Sequence, residues 1–150
     1  EARWHVTLAF LGDVAADAVP ALTAALAARP LGSPLRLRLH RGGAYPNTRR
    51  PRVFWAGVED DADALAPLAR AVGAAARTVV KSLDDRPFRG HITVARARRP
   101  FHGGPAIVES LNAVVGPPFD ATEVVLLRSH LGPTPRYEPL AVFPLTASPD

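Results

Sequence analysis

The sequence predicts an α+β fold built from two related halves. Three observations carry that expectation. Short stretches alternate apolar and polar residues with the period of two that marks a half-buried strand, as in Leu35-Arg36-Leu37-Arg38-Leu39. Longer alanine-rich stretches between them suit helices, above all Asp61–Val80. Finally, His5-Val6-Thr7-Leu8-Ala9 recurs late in the chain as His91-Ile92-Thr93-Val94-Ala95. That separation is far too long for a solenoid repeat and points to two helix-plus-sheet halves about a pseudo-two-fold axis.

The elements follow in order. Trp4–Leu11 is expected as a strand, with Val6, Leu8 and Phe10 on one face and Gly12-Asp13 ending it. A helix is expected over Asp17–Ala28, with Pro20 tolerated in its first turn and Pro30 and Gly32 stopping it. Leu35, Leu37 and Leu39 mark a strand. Gly42-Gly43 and Pro46-Asn47 mark an arginine-rich loop through Arg49, Arg50 and Arg52. Val53–Val58 reads as a strand and Asp61–Val80 as a helix whose acidic start suits the helix dipole. Lys81–Gly90 is a polar connection, and His91–Arg96 a strand closed by Arg98, Arg99 and Pro100. Pro105–Val115 reads as a short helix, followed by the breaker Gly116-Pro117-Pro118. Two strands, Thr122–Leu131 and Tyr137–Leu145, flank a loop holding Gly132, Pro133 and Pro135.

Composition narrows the function. The chain has 150 residues, 47% of them hydrophobic and 21% charged, so it is a globular domain able to bury a core. No apolar run approaches the ~20 residues of a membrane helix. Without cysteine there are no disulfides, thiol nucleophiles or thiolate-held metals. The formal net charge is +4, and Lys81 is the only lysine beside 17 arginines. An arginine excess suits phosphate-bearing ligands. With 27 alanines it also suits a GC-rich genome, so charge alone does not decide. Methionine is absent, so residue 1 is not expected to be the native start. No secretory leader is visible, and a cytoplasmic place is expected.

The repeat carries the chemistry. Residues i and i+2 of a strand share a face, so His5 projects with Thr7 and His91 with Thr93. Two halves facing each other would frame a cleft with two imidazoles and two hydroxyls. Opposed histidines suit in-line attack on phosphorus, one taking a proton from water and the other giving one to the departing oxygen. Threonine hydroxyls donate to the non-bridging oxygens, where charge builds up. One His-x-Thr strand alone is most simply structural; two copies in apolar strands point to function. Two histidines with no convergent Asp, Glu or Cys make a poor zinc site, so no metal or other cofactor is expected. Which histidine is acid and which is base stays open on these grounds.

These motifs resemble the paired His-x-Thr signature of the 2H phosphoesterases. The wider match is to the bacterial and archaeal RNA 2′,3′-cyclic phosphodiesterase branch, the ThpR/LigT or 2′-5′ RNA ligase family. The matching stretches are Trp4–Gly12, Arg50–Val58, Arg86–Arg96, and Ser129–Pro133 leading to Arg136–Leu140, in the family's order and over almost the whole chain. Two features depart from the pattern. Family members open with a strand and helix before the first motif, where only four residues precede His5; those elements are expected to be missing from the sequence. Gly90 stands where the family often has proline, a modest change in a loop.

The resemblance implies an α+β fold of two pseudo-symmetric lobes, each an antiparallel sheet with helices outside, flanking a central cleft. Residues 1–150 would form a single 2H domain. It implies metal-independent hydrolysis of 2′,3′-cyclic phosphate RNA ends to 2′-phosphates, and the reverse 2′-5′ joining of tRNA halves, by a monomer. His5 maps to the general acid, His91 to the general base, Thr7 and Thr93 to phosphate-binding hydroxyls and Arg96 to a phosphate clamp. Phe10 maps to a base-stacking aromatic. Phe10 and Arg96 each lie five residues after their histidine, an odd offset that demands a bend, bulge or strand end. By pattern alone Phe10 belongs in the core with Val6 and Leu8. The alternatives are a 2H enzyme for a small cyclic nucleotide or ADP-ribose cyclic phosphate, and a non-catalytic RNA-end binder. Elsewhere, His40 reads as solvent-facing and His102 as surface. His130 is a minor cleft candidate, and Trp55 and Tyr137 read as packing residues.

Overall fold

The computed structural model describes residues 4–81, 83, 84, 86–99, 102–130, 132 and 135–147. In chain order they form a 3-10 turn Ala16–Ala18, α1 (Val19–Ala27), β1 (Leu35–Tyr45), β2 (Val53–Asp60) and α2 (Leu65–Arg77). Then come β3 (His91–Arg96), α3 (Gly104–Asn112), β4 (Phe119–Ala121), β5 (Glu123–His130) and β6 (Arg136–Pro144). The order β3-β2-β1-β4 makes one sheet and β5-β6 a second. The β1–β2, β2–β3 and β5–β6 pairings are antiparallel, so the fold is α+β. No helix among the described residues is long and apolar enough to cross a membrane.

The chain divides into two compact units, one drawn from residues 1–7, 36–63 and 89–119, the other from 8–35, 64–88 and 120–150. In the second, α2 buries Leu65, Leu68, Ala69, Val72 and Ala76, the i, i+3, i+4 spacing of one helix face. α1 packs against α2 and β6 and buries Leu22 and Leu26.

In the first unit, alternation along β2 sorts its side chains. Phe54, Ala56 and Val58 are buried, while Val53, Trp55 and Gly57 line the opposite face. Ile92 of β3 lies opposite Ala56 and is also buried. Two register shifts break the regular ladder: β1 carries an extra residue between Leu39 and Gly42, and β3 one between Thr93 and Ala95.

Several sequence expectations need correction. Trp4–Leu11 is not a strand; only Val6 finds a partner, in an isolated antiparallel bridge to Ile92. Alternation makes a strand possible, but pairing makes it, and from Leu8 the chain belongs to the other unit. Phe10 is not core: it is 59% exposed. Gly42-Gly43 is not a loop but part of β1, paired with Ala56 and Trp55 of β2. A Cβ on Gly42 would lie 2.8 Å from Leu111 of α3, and one on Gly43 would lie 2.4 Å from the Trp55 ring, so these glycines mark close packing. The acidic run before α2 lies outside the helix. Asp60 caps a turn through Ala62 N–H (3.1 Å) and Asp61 pairs with Arg38 (2.7 Å). The short strand β4 follows the Gly-Pro-Pro breaker, too brief to show any alternation. β3 spans His91–Arg96 as expected. Leu131, Pro133 and Pro100, placed by the sequence in a strand end and two loops, lie outside the described residues.

Leu22 is 1% exposed, so truncation leaves a cavity that rigid neighbours fill poorly. Leu22→Ala is expected to lower stability by about 2–5 kcal/mol, read as a fall in denaturant midpoint with an unchanged slope.

Candidate active site

The site begins with one backbone pairing. Val6 and Ile92 are bridged antiparallel, so they point to one face and their neighbours to the other. That register sets His5 beside Thr93 and Thr7 beside His91. The two histidines become diagonal neighbours, for which Cβ atoms stand somewhat closer than roughly 7–8 Å. All four side chains are half-buried. The sequence expects one motif in each half; both motifs lie in the first unit, on adjacent segments of one sheet.

β3 is firmly held at this point. Val58 N–H donates to Gly90 O (2.9 Å), extending the β2–β3 ladder to the residue before His91. His91 Nδ1 lies 2.7 Å from Arg89 O. A carbonyl only accepts, so Nδ1 carries the proton and, in the neutral ring, Nε2 holds the lone pair. Tautomer and ring direction are thus set by the backbone two residues upstream.

Aromatic rings surround His91. Its ring meets Tyr45 edge-on at 5.7 Å and Trp55 at 6.1 Å between centroids, and Tyr45 and Trp55 stack at 5.5 Å. The Trp55 indole lies over Gly43, the only residue type that leaves room for it. Its Nε1–H is buried and meets no acceptor among the described residues. Gly57 sits opposite His91 and puts no side chain beside it. Sequence reasoning missed Tyr45, because a pattern of two strands and a glycine break hid that β1 runs on to residue 45. Its signal was parity with Gly43, two residues earlier on the same strand.

The remaining candidates separate. Arg96 lies opposite Val53, and Thr93 opposite Trp55. Val53 and Trp55 share a face, so the extra residue in β3 returns Arg96 to the face of Thr93 despite its odd offset. Arg96 is exposed. Phe10 belongs to the second unit. His40 is half-buried and donates from Nδ1 to Glu59 (2.6 Å). His102 is exposed. His130 donates from Nε2 to Glu138 (2.8 Å). That hydrogen bond, with Arg128 nearby, holds the Glu138 carboxyl below its ordinary range, so the stabilisation is present above that range and lost in stronger acid. Among the described residues, no three His, Cys, Asp or Glu side chains are placed to hold a metal ion.

Known proteins share this arrangement of chain. A family model described as LigT like phosphoesterase matches residues 1–55. An RNA 2′,3′-cyclic phosphodiesterase of Archaeoglobus fulgidus is 31% identical over 146 residues, covering 93% of this chain and 78% of its own. The chain belongs to the LigT-like phosphoesterase family. A Geobacillus stearothermophilus member, also an RNA 2′,3′-cyclic phosphodiesterase, is 42% identical over 154 residues, covering 100% of this chain and 48% of its own. The chain spans about half the length of the first curated relatives it matches. Two crystal structures share the fold. One, from Thermus thermophilus, has a TM-score of 0.74 at 32% identity, over 96% of this chain and 79% of its own. That of E. coli LigT complexed with 3′-AMP has a TM-score of 0.65 at 29% identity, over 95% and 76%.

The tautomer is directly observable. Nitrogen-15 NMR of the neutral protein is expected to show His91 protonated at Nδ1 and bare at Nε2. The opposite tautomer would remove the Arg89 hydrogen bond from the account.

Proposed function

We propose that this chain is a metal-independent phosphodiesterase that opens RNA 2′,3′-cyclic phosphate ends, those of tRNA fragments among them, to 2′-phosphates. The observation that carries the proposal is the Val6–Ile92 bridge, which gathers two histidines and two threonines on one face. The names of the relatives and the 3′-AMP complex of E. coli LigT support the substrate class.

Water attacks phosphorus as its proton passes to His91 Nε2, the nitrogen left bare by the Arg89 hydrogen bond. The P–O3′ bond breaks on the far side, and His5 gives its proton to the departing 3′ oxygen. The product is a 2′-phosphate with a free 3′-hydroxyl; His91 ends charged and His5 neutral, and exchange with solvent resets both. Thr7 and Thr93 donate to the non-bridging oxygens and Arg96 offsets their charge. A ribose 5′-hydroxyl standing in the place of the attacking water takes the same path and forms a 2′-5′ bond. We place this activity in the cytoplasm, carried out by a monomer.

The test uses an RNA ending in a 2′,3′-cyclic phosphate, with EDTA present throughout. Clean 2′-phosphate product is expected. His5→Ala and His91→Ala are each expected to slow turnover roughly 10²–10⁴-fold, and activity is expected to follow a bell in pH, because one imidazole must be neutral and the other charged. Survival of activity in the double variant, or its loss to EDTA and recovery with a divalent ion, would overturn the mechanism.

A further inference from the structure

Six arginines gather at one end of the sheet that carries His91 and Thr93. Arg96 ends β3, and Arg98 and Arg99 follow it. Ala97 N–H donates to Arg52 O (3.0 Å), which ties this segment to the hairpin bearing Arg49, Arg50 and Arg52. The stretches 45–52 and 96–104 contain no Asp or Glu. Elsewhere, Arg38 pairs with Asp61 and Arg128 with Glu138. Among the described residues these six have no carboxylate partner.

The hairpin is a built surface. Asn47 Oδ1 accepts from the backbone N–H groups of Arg49 (3.1 Å) and Arg50 (2.9 Å), and Arg52 N–H closes the turn on Tyr45 O (2.7 Å). Gly104, opening α3, packs so tightly on the loop that a Cβ there would lie 2.0 Å from Thr48 O. This brings the positive end of the helix dipole up to the loop. Asn47, Thr48, Arg49 and Arg50 line a hollow of about 540 Å³. Ordering the loop in advance lowers the entropy lost when it holds a ligand.

We propose that this hairpin and the segment after β3 form a second binding region, a track for the backbone phosphates of single-stranded RNA leading away from the reacting end. The proposal rests on the phosphodiesterase reading and adds a preference for polynucleotides over mononucleotides. Position decides it. Arg96 lies three residues beyond Thr93, roughly 10 Å along a strand, within reach of the reacting nucleotide. Arg98 and Arg99 lie further on, and Arg49 and Arg50 stand exposed on the loop that joins β1 to β2, further from Thr93 along the sheet than Arg96 and so placed for nucleotides beyond the reacting one. Guanidinium groups suit phosphates through paired N–H donors and release counterions on binding, without reading base identity.

The test compares 2′,3′-cyclic AMP with an RNA of about ten nucleotides ending in the same cyclic phosphate. The variant carries Arg49→Gln, Arg50→Gln, Arg98→Gln and Arg99→Gln, and leaves Arg96 in place. Its kcat/KM on cyclic AMP is expected to stay within about twofold of the parent, while that on the oligonucleotide falls on the order of 10-fold or more through KM. Binding of the 2′-phosphate product RNA, followed by fluorescence anisotropy, needs no turnover. Its log–log salt slope is expected to shrink by about 0.7 for each phosphate contact removed. Equal losses on both substrates, or an unchanged salt slope, would overturn the track. Absence of turnover on either substrate, with the salt slope still reduced in the variant, would sustain the track and overturn the phosphodiesterase reading.

Discussion

The antiparallel bridge between Val6 and Ile92 is the constraint on which the candidate site depends. An isolated His-x-Thr segment offers one imidazole and one hydroxyl. Antiparallel pairing about a shared central residue brings two such segments together head to tail, so each histidine stands beside the other's threonine. Register leaves no tolerance: a slip of one residue turns a whole segment to the opposite face. Burial guards that register from beneath, since Ile92 is 8% exposed and lies opposite the still more deeply buried Ala56. Apolar packing on one face of the sheet therefore fixes polar geometry on the other.

A second set of devices orients what the bridge collects. A carbonyl hydrogen bond of the ordinary net worth of about 0.5–1.5 kcal/mol is enough to shift a tautomer equilibrium by roughly two- to twelvefold, and Arg89 O supplies it to His91. The stacked Tyr45 and Trp55 rings wall the same imidazole, and that wall exists because Gly43 lets the indole lie against the backbone. The extra residue in β3 then turns Arg96 back onto the face of Thr93. Backbone irregularities and missing side chains, rather than additional polar groups, shape this surface.

Much of this was legible in the sequence, and the residues that were not share a cause. His5, Thr7, His91 and Thr93 announce themselves by repetition, and β3 by its alternation and flanking polar loops. Arg96 was legible only as a contradiction of parity, because a bulge lies in the pairing of two strands and not in either alone. Gly42 and Gly43 read as loop punctuation, since glycine serves tight turns and close packing equally well; only Leu111 and Trp55 tell which applies. Phe10 continued an apolar alternation that no partner strand took up. Tyr45 belongs to no sequence motif; its place in the site comes from its contacts with Trp55 and His91.

The central claim is that His5 and His91 act from opposite sides of one phosphorus atom. The most direct measurement is a crystal structure with a nucleoside 2′,3′-vanadate, whose trigonal bipyramid mimics the in-line transition state. The account expects His91 Nε2 to hydrogen-bond the apical oxygen of the attacking water and His5 to hydrogen-bond the apical 3′ oxygen, with the threonine hydroxyls on equatorial oxygens. Both imidazoles on the same oxygen, or either one turned away from the bipyramid, would contradict it.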